Sequence, residues 1–92
     1  MIRSFRTRAL QEFWEKGSSG KIDKRLQGRI LRRLDALDSA VVLEDLNVPG
    51  FDFHPLRGFQ PTRYSLHVNG PWCITFEFDD GDAYRLDFEQ YH

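Results

Sequence analysis

Two short stretches of the sequence carry side chains that suit phosphate and proton chemistry. One is the run His54-Pro55-Leu56-Arg57-Gly58, and the other is the pair Tyr91 and His92 at the end of the sequence. Cleavage of RNA through its own 2′-hydroxyl needs a base, an acid and a cation at the phosphate, which His, Tyr and Arg can supply. Taken singly, His54 is also compatible with an ordinary packed loop residue and His92 with a chain end. Their placement in one surface patch would favour the catalytic interpretation.

The sequence points to neither a metal nor a membrane. Its acidic and histidine residues do not cluster at the spacing of metal ligands, so we expect no metal site and no cofactor. Its apolar runs are far shorter than the ~20 residues of a membrane helix, and its start lacks the pattern of a secretion signal. Cys73 is the single cysteine, so an internal disulfide is impossible. We therefore expect a cytoplasmic protein.

Two helices are predicted in the first half of the chain, after a short strand over Ile2 to Phe5. Thr7 is expected to cap the first helix with its hydroxyl, and the run Gly17-Ser18-Ser19-Gly20 is expected to end it. Asp23 is expected to cap a longer second helix. The apolar positions of that helix recur at helical spacing and are Leu26, Ile30, Leu34 and Leu37. Residues 38–52 follow as a predicted loop.

The second half of the chain predicts an antiparallel meander. A short strand covers residues 53–56, and three longer stretches that alternate apolar and polar residues follow it. Tight turns at Asn69-Gly70 and at 79–82 separate these stretches. Their apolar positions are Tyr64, Leu66, Val68, Trp72, Ile74, Phe76, Phe78, Tyr84, Leu86 and Phe88. Helices followed by such a meander predict one α+β domain over residues 1–92, with both helices packed on the apolar face of the sheet.

Basic residues are concentrated at the start of the chain. Residues 1–34 hold ten Lys/Arg against three Asp/Glu, a net charge of +7, whereas residues 35–92 hold three against eleven, a net charge of −8. Such a split can create a surface that attracts polyanions, or two solvated faces that only keep the protein soluble. Most of the basic side chains around the second helix fall off its apolar stripe. The candidates for RNA or ribosome binding are Lys21, Arg25, Arg29, Arg32, Arg33 and Arg63.

Several motifs, in order, resemble the HigB toxins of the RelE superfamily. They are "MIRSF" at the start, "RRLDALDSA" and "EDLNVPG" in the middle, "HPLRG", and "YSLHVNGPWCITFEFDDGDAY" before the closing "YH". The resemblance covers nearly the whole chain. It implies a RelE-like fold, metal-independent cleavage of mRNA on the ribosome, and neutralisation by a HigA antitoxin with a helix-turn-helix domain in a hetero-oligomer. It also implies active-site roles for His54, Arg57, Cys73, Tyr91 and His92.

Cys73 departs from the pattern that the resemblance implies. After the turn, these toxins usually have Trp-Arg where this chain has Trp-Cys, and that Arg counts among their catalytic residues. Strand alternation places Cys73 on the polar face of the sheet with Thr75 and Glu77, where a phosphate-binding Arg would belong. A thiol carries no positive charge and is only a weak donor. We therefore expect an attenuated enzyme unless another arginine covers the phosphate.

Two other functions fit the same sequence. One is a ParE-like toxin that blocks DNA gyrase by binding it, and the other is a binding module that has lost cleavage through Cys73. A pure inhibitor does not need the histidine, arginine and tyrosine set described above, so this set favours the ribonuclease. Growth arrest on induction, with and without Cys73→Arg, would separate the three hypotheses.

Overall fold

The computed structural model describes residues 1–91, which form two helices and a four-stranded antiparallel sheet in the order β1-β2-β3-β4. The elements are α1 (Arg8–Lys16), α2 (Lys24–Ser39), a 3-10 turn (Leu43–Leu46), β1 (His54–Leu56), β2 (Arg63–Asn69), β3 (Trp72–Asp79) and β4 (Asp82–Gln90). This arrangement confirms the predicted α+β class and the meander. Within the described residues, no helix is long and apolar enough to cross a membrane.

Both helices pack on one face of the sheet and bury the core there. Ile30, Leu34 and Leu37 of α2 are fully buried, as the helical spacing predicted, while Leu26 at the start of the stripe is only partly covered. The strands contribute Leu66, Ile74, Phe76 and Leu86, which are also fully buried. Burying a side chain of this size stabilises the fold by roughly 1.5–3 kcal/mol relative to leaving it in water. The opposite face of the sheet is left for polar residues.

The predicted caps of the two helices have different outcomes. The Asp23 carboxylate accepts a hydrogen bond from the Arg25 N–H at 2.9 Å, so the predicted cap of α2 is confirmed. Thr7 does occupy the N-cap position of α1, but its side chain makes no capping bond. Its hydroxyl instead donates to the Asp87 carboxylate and accepts from the Phe88 N–H at 3.1 Å. Thr7 therefore ties the start of α1 to β4, and the predicted capping bond is wrong.

The N-terminal segment lies alongside the outer edge of β4. Isolated parallel bridges pair Ile2 with Ala83 and Phe5 with Leu86. The predicted opening strand is therefore present as two separate bridges, and no continuous ladder forms. These bridges still cover much of the edge that β4 would otherwise expose for pairing with another chain.

Two turns and two register shifts shape the meander, one shift in β2 between His67 and Asn69 and the other in β4. Asp80 and Gly81 both have positive φ, as the predicted turn at 79–82 requires. In the other hairpin only Gly70 has positive φ, and Asn69 remains the last residue of β2. A bulge in β4 at Arg85, where φ is +50°, turns Tyr84 to the polar face beside Glu77. The prediction that Tyr84 shares the apolar face with Leu86 and Phe88 is therefore wrong.

The connection between α2 and β1 is more ordered than the predicted loop over residues 38–52. It contains the 3-10 turn Leu43–Leu46, and Leu46 is fully buried in the core. The Asp45 carboxylate accepts from the N–H groups of Val41 and Val42 at 2.9 and 3.2 Å, and these bonds lower its pKa. An apolar anchor and a local carboxylate cap together hold this segment on the sheet.

Candidate functional site

A cavity opens on the polar face of the sheet, on the side away from the helices. It has a volume of about 380 Å³ and is bordered by β2, β3, the segment before β1 and the end of the chain. Its lining residues are Asp52, His54, Ser65, His67, Gly70, Pro71, Cys73 and Tyr91. The structure therefore brings together His54, Cys73 and Tyr91 of the predicted site. Arg57 is exposed after β1 and is not among the lining residues, and His92 lies outside the described residues.

His54 begins β1 and is held in one orientation by a backbone carbonyl. Its Nδ1 lies 2.7 Å from the carbonyl oxygen of Asp52. Because a carbonyl oxygen only accepts, Nδ1 must carry the proton, which leaves the lone pair of Nε2 free in the neutral ring. Asp52 has a positive φ of 47°, a conformation that few residues other than glycine adopt but that Asp tolerates. This local turn fixes the tautomer of His54 at the rim of the cavity.

His67 is a second imidazole in the cavity, which the sequence analysis did not select. Its Nε2 lies 3.0 Å from the carbonyl oxygen of Gly70, so Nε2 carries the proton and Nδ1 has the free lone pair. Its backbone N–H donates to the Phe51 carbonyl at 2.7 Å. In the sheet, His67 pairs directly with Cys73. The alternation of Ser65 and His67 with the apolar residues of β2 was the signal that could have found it.

Ser65 is the other residue of β2 in the cavity that the sequence analysis missed. It pairs with His54 on one side and with Thr75 on the other, and only 1% of it is exposed. Its Oγ is buried and has no hydrogen-bond partner among the described residues. Buried polar groups are satisfied in the great majority of cases, so an unpartnered hydroxyl in a cavity wall calls for an explanation.

Cys73 lies on the predicted face of β3, but it is 5% exposed and not the open position we expected. Its Sγ is 3.8 Å from the carbonyl oxygens of Pro71 and Tyr91. The Tyr91 N–H in turn donates to the Pro71 carbonyl at 2.7 Å. This pairing brings the end of the chain over Cys73 and places Tyr91 at the cavity, as the meander predicted.

Arg63 is buried, which corrects its prediction as an exposed RNA-binding residue. Only 3% of it is accessible, and its guanidinium donates to Glu77 at 3.2 Å and to the Thr75 hydroxyl at 3.0 Å. Glu77 also pairs with Arg85 at 2.8 Å. A guanidinium surrounded in this way balances a carboxylate within the polar face and is not free to meet RNA. Its partners Thr75 and Glu77 lie 12 and 14 residues further along the chain, so the sequence alone does not show this burial.

Arg33 is buried as well and corrects a second RNA-binding prediction. It is 5% exposed, and its guanidinium donates to the carbonyl oxygens of His67 at 2.7 Å and Gly50 at 3.3 Å. It also stacks over the Phe51 ring, 4.5 Å from the ring centre. Burial lowers the pKa of Arg33, and the nearby Arg32 and Arg29 lower it further. Arg33 therefore joins α2 to β2 behind the cavity.

The four remaining basic candidates are exposed. They are Lys21, Arg25, Arg29 and Arg32. Arg25 pairs with Asp23 at 2.8 Å, and the hydrogen bonds between them lower the pKa of Asp23 and raise that of Arg25. Arg29 donates to the Asn69 side chain at 2.9 Å, in the hairpin whose next two residues line the cavity. Arg29 of α2 therefore contacts the hairpin that borders the cavity.

The side chains of residues 1–91 form no group of three or more His, Cys, Asp or Glu that could hold a metal ion. The functional groups of the cavity are instead two imidazoles, a serine hydroxyl, a thiol and a phenol, with one carboxylate at the rim. These groups can move protons and donate hydrogen bonds to an anion.

The comparison with known proteins agrees with this architecture. A family described as "RelE-like toxin of type II toxin-antitoxin system HigB" matches residues 3–92, so fold and sequence together define a RelE-like toxin. The chain is 39% identical to "Endoribonuclease HigB" of Proteus vulgaris over 92 residues, which cover 100% of both proteins. It is 29% identical to "Toxin HigB-1" of Vibrio cholerae serotype O1 over 85 residues, 90% of each.

The chain belongs to the HigB-like toxin family of type II toxin–antitoxin systems. This confirms the resemblance drawn from the motifs of the sequence. Membership in a type II system also implies an antitoxin as partner.

Proposed function

We propose that this chain is an endoribonuclease whose active site is the cavity on the polar face of the sheet. The observation that carries the proposal is the orientation of His54. Its Nδ1 is engaged by the Asp52 carbonyl, which leaves Nε2 free to accept a proton at a cavity shared with Tyr91. A free imidazole nitrogen and a phenol at one site provide a proton acceptor and a proton donor. The name of the Proteus vulgaris relative, Endoribonuclease HigB, supports the same activity.

In the proposed reaction, the 2′-oxygen of one nucleotide attacks the adjacent phosphorus. His54 accepts the 2′-hydroxyl proton, the new bond from phosphorus to the 2′-oxygen forms, and the bond to the 5′-oxygen of the next nucleotide breaks. That oxygen leaves with a proton donated by Tyr91 or His92. The products are a 2′,3′-cyclic phosphate and a 5′-hydroxyl end, and these proton transfers require no metal ion. Arg57, exposed three residues after His54, would contact the phosphate once RNA is bound.

The substrate in this proposal is mRNA on the ribosome, and the site of action is the cytoplasm. The exposed cations at Lys21, Arg25, Arg29 and Arg32 support a contact with ribosomal RNA, because phosphate contacts are made mainly by Arg and Lys. The antitoxin in this proposal is a HigA-like protein with a helix-turn-helix domain, in a hetero-oligomer with the toxin. The family resemblance supports that partner.

One observation favours a second candidate, a toxin that acts by binding its target without cleaving RNA. Among the described residues that line the cavity there is no Lys or Arg, and Cys73 occupies the position where the resemblance implies a catalytic arginine. A binding toxin, including a ParE-like inhibitor of DNA gyrase, needs no cation at this cavity. The two candidates differ in whether His54 matters.

The test is the exchange His54→Ala, compared with the matched control Gln11→Ala on the exposed surface of α1. Single-turnover cleavage of ribosome-bound mRNA should fall by at least ~10²-fold for His54→Ala, the usual scale for losing a general base, and stay unchanged for the control. Growth arrest on induction should be lost in parallel. Growth arrest that persists in His54→Ala, with no cleavage by either protein, would instead support the binding toxin.

A further inference from the structure

The cavity is short of positive charge for a site that must hold a phosphodiester. Of the described lining residues none is Lys or Arg. The guanidinium groups of Arg33 and Arg63, which lie behind and beside the cavity, are engaged by carbonyl, hydroxyl and carboxylate oxygens. A pentavalent phosphorane gains negative charge on its non-bridging oxygens, and hydrogen-bond donors placed there in advance lower its energy. Arg57, placed at the phosphate above, is not among the lining residues, so the cavity itself must supply further donors.

Ser65 offers one such donor. Ser65 lines the cavity and is 1% exposed, and its buried Oγ has no hydrogen-bond partner among residues 1–91. A hydroxyl of this kind costs stability in the free protein, since it has lost water without gaining a protein hydrogen bond. The neighbouring Thr75 hydroxyl on the same face is fully engaged, by Arg63 and by Glu89. The contrast singles out Ser65 as the hydroxyl that is left for a ligand.

His67 offers the second donor. Its Nε2–H is held by the Gly70 carbonyl at 3.0 Å, so any proton that the ring gains goes to Nδ1. A phosphate in the cavity stabilises the charged form of the ring, because opposite charges a few ångströms apart attract each other. In that form Nδ1–H is a charged donor, the kind that makes short, strong hydrogen bonds to phosphate.

The register of the sheet places the two donors together. Ser65 of β2 pairs with His54 of β1, and His67 of β2 pairs with Cys73 of β3. The four side chains therefore lie close together on one face of three adjacent strands. Residues two apart on one strand are about 6.6 Å apart, and directly paired side chains are about 5 Å apart, so one phosphate can lie between the donors.

We propose that β2 anchors the scissile phosphate, with the Ser65 hydroxyl and the protonated His67 imidazole donating to its non-bridging oxygens. The inference rests on the proposed ribonuclease function and adds two substrate-contacting residues to it. It explains how a chain with Cys73 can bind the phosphate without a cavity arginine.

The test uses two substitutions and two readouts. Ser65→Ala and His67→Gln should each lower single-turnover cleavage of ribosome-bound mRNA by about 10²-fold, the scale for losing one such donor. Each should also weaken binding of a short 2′-O-methyl RNA, which cannot be cleaved, in a titration followed by NMR of the full chain. Ser39→Ala, an exposed hydroxyl on α2, is the matched control and should change neither readout. Thermal unfolding of Ser65→Ala should match or exceed the wild type, because no hydrogen bond is removed.

The variant His67→Arg, which carries a permanent positive charge, separates a role of His67 in binding phosphate from a purely structural role. His67→Arg should bind the 2′-O-methyl RNA well at pH 8, where the wild type binds several-fold more weakly than at pH 6, and His67→Gln should show a smaller pH dependence than the wild type. The other titratable or charged groups that face His67 are Asp52, His54, Cys73 and Tyr91 in the cavity and Arg33 at its carbonyl oxygen. Because these are the same in all three proteins, differences between the profiles report on residue 67.

Each outcome decides between the inferences. Wild-type binding and cleavage that survive both Ser65→Ala and His67→Gln would overturn the anchoring role and leave the ribonuclease proposal intact. Binding that depends on both residues, without cleavage by the wild type, would retain the anchor and overturn the ribonuclease. A wild type that neither binds nor cleaves would overturn both. A His67→Arg protein with the pH profile of His67→Gln would overturn the charged role of His67.

Discussion

Each side chain of the site owes its neighbours to the register of the sheet, in which Ser65 pairs with His54 and His67 pairs with Cys73. The HPLRG run and the closing YH indicated His54 and Tyr91, and the structure places both at one cavity. Ser65 and His67 were missed because a serine and a histidine in a strand are common, and their meaning appears only when the pairs with His54 and Cys73 are known. Arginine burial was also invisible in the sequence, since the partners of a guanidinium lie far along the chain.

At the residue scale, the first prediction concerns Cys73→Arg. The thiol lies at the cavity wall and pairs with His67, so a guanidinium at this position can extend into the cavity and donate to the phosphate. We expect cleavage to increase by about 10-fold in the wild-type background and by about 10²-fold in His67→Gln, because there the arginine replaces a missing donor. The free energy of unfolding should fall by only about 1 kcal/mol, since the cavity offers the long side chain a route to water.

Single-turnover rates of the wild type, Cys73→Arg, His67→Gln and the double variant measure the coupling between positions 73 and 67. Cys73→Ser, which changes neither size nor charge appreciably, is the matched control and should leave the rates unchanged. Equal gains in the two backgrounds would show that Arg and His67 act independently, contrary to the prediction. No gain in either would show that position 73 does not reach the phosphate.

At the scale of elements, the sequence predicted which helices and strands exist better than it predicted their local hydrogen bonds. The hydrophobic spacing located both helices, and alternation located the strands, because each pattern matches a fixed geometric period. The predictions that failed concerned a hydrogen-bond partner and the facing of one strand residue. The Thr7 hydroxyl found Asp87 and Phe88 in place of its own helix, and the bulge at Arg85 reversed the facing of Tyr84. Such exchanges depend on residues roughly eighty positions away for Thr7, so periodicity cannot show them.

The prediction at this scale is that Arg33 holds α2 against the cavity strand. Arg33→Met keeps the length of the side chain and its contact with Phe51, but it leaves the carbonyl oxygens of His67 and Gly50 without their donor. Leaving a partly buried carbonyl without its donor costs about 1–3 kcal/mol, so the free energy of unfolding should fall by roughly 1–3 kcal/mol. Chemical denaturation at pH 7 measures it. Arg32→Met, on the exposed side of the same turn, should change it by less than about 0.5 kcal/mol. Similar values for both would show that Arg33 is not a clamp.

At the scale of the whole molecule, part of the basic half of the chain lies on the exposed side of α2 and on the linker before it. From this side Arg29 contacts the hairpin at Asn69, and that hairpin forms one wall of the cavity. Carboxylates dominate residues 35–92, and one of them, Glu77, pairs with both Arg63 and Arg85 within the sheet. A polyanion attracted by α2 would therefore be led toward the cavity. Net charge alone, at −1, gives no hint of this arrangement.

The last prediction tests that surface. Replacing Arg25, Arg29 and Arg32 together by Gln should weaken ribosome association at least ~10-fold at physiological salt. The magnitude of the slope of log affinity against log salt should fall by about 2, because the loss of three phosphate contacts reduces the release of counterions. The fold should persist, since all three side chains are exposed. The matched control removes the same charge from the N-terminal segment, through Arg3, Arg6 and Arg8 to Gln, and should have a clearly smaller effect. Sedimentation with ribosomes at four salt concentrations gives both quantities. If the two triple variants bind alike, attraction depends on overall charge, and the face of α2 has no special part in it; if neither loses affinity, this face is a solvated surface or belongs to the antitoxin.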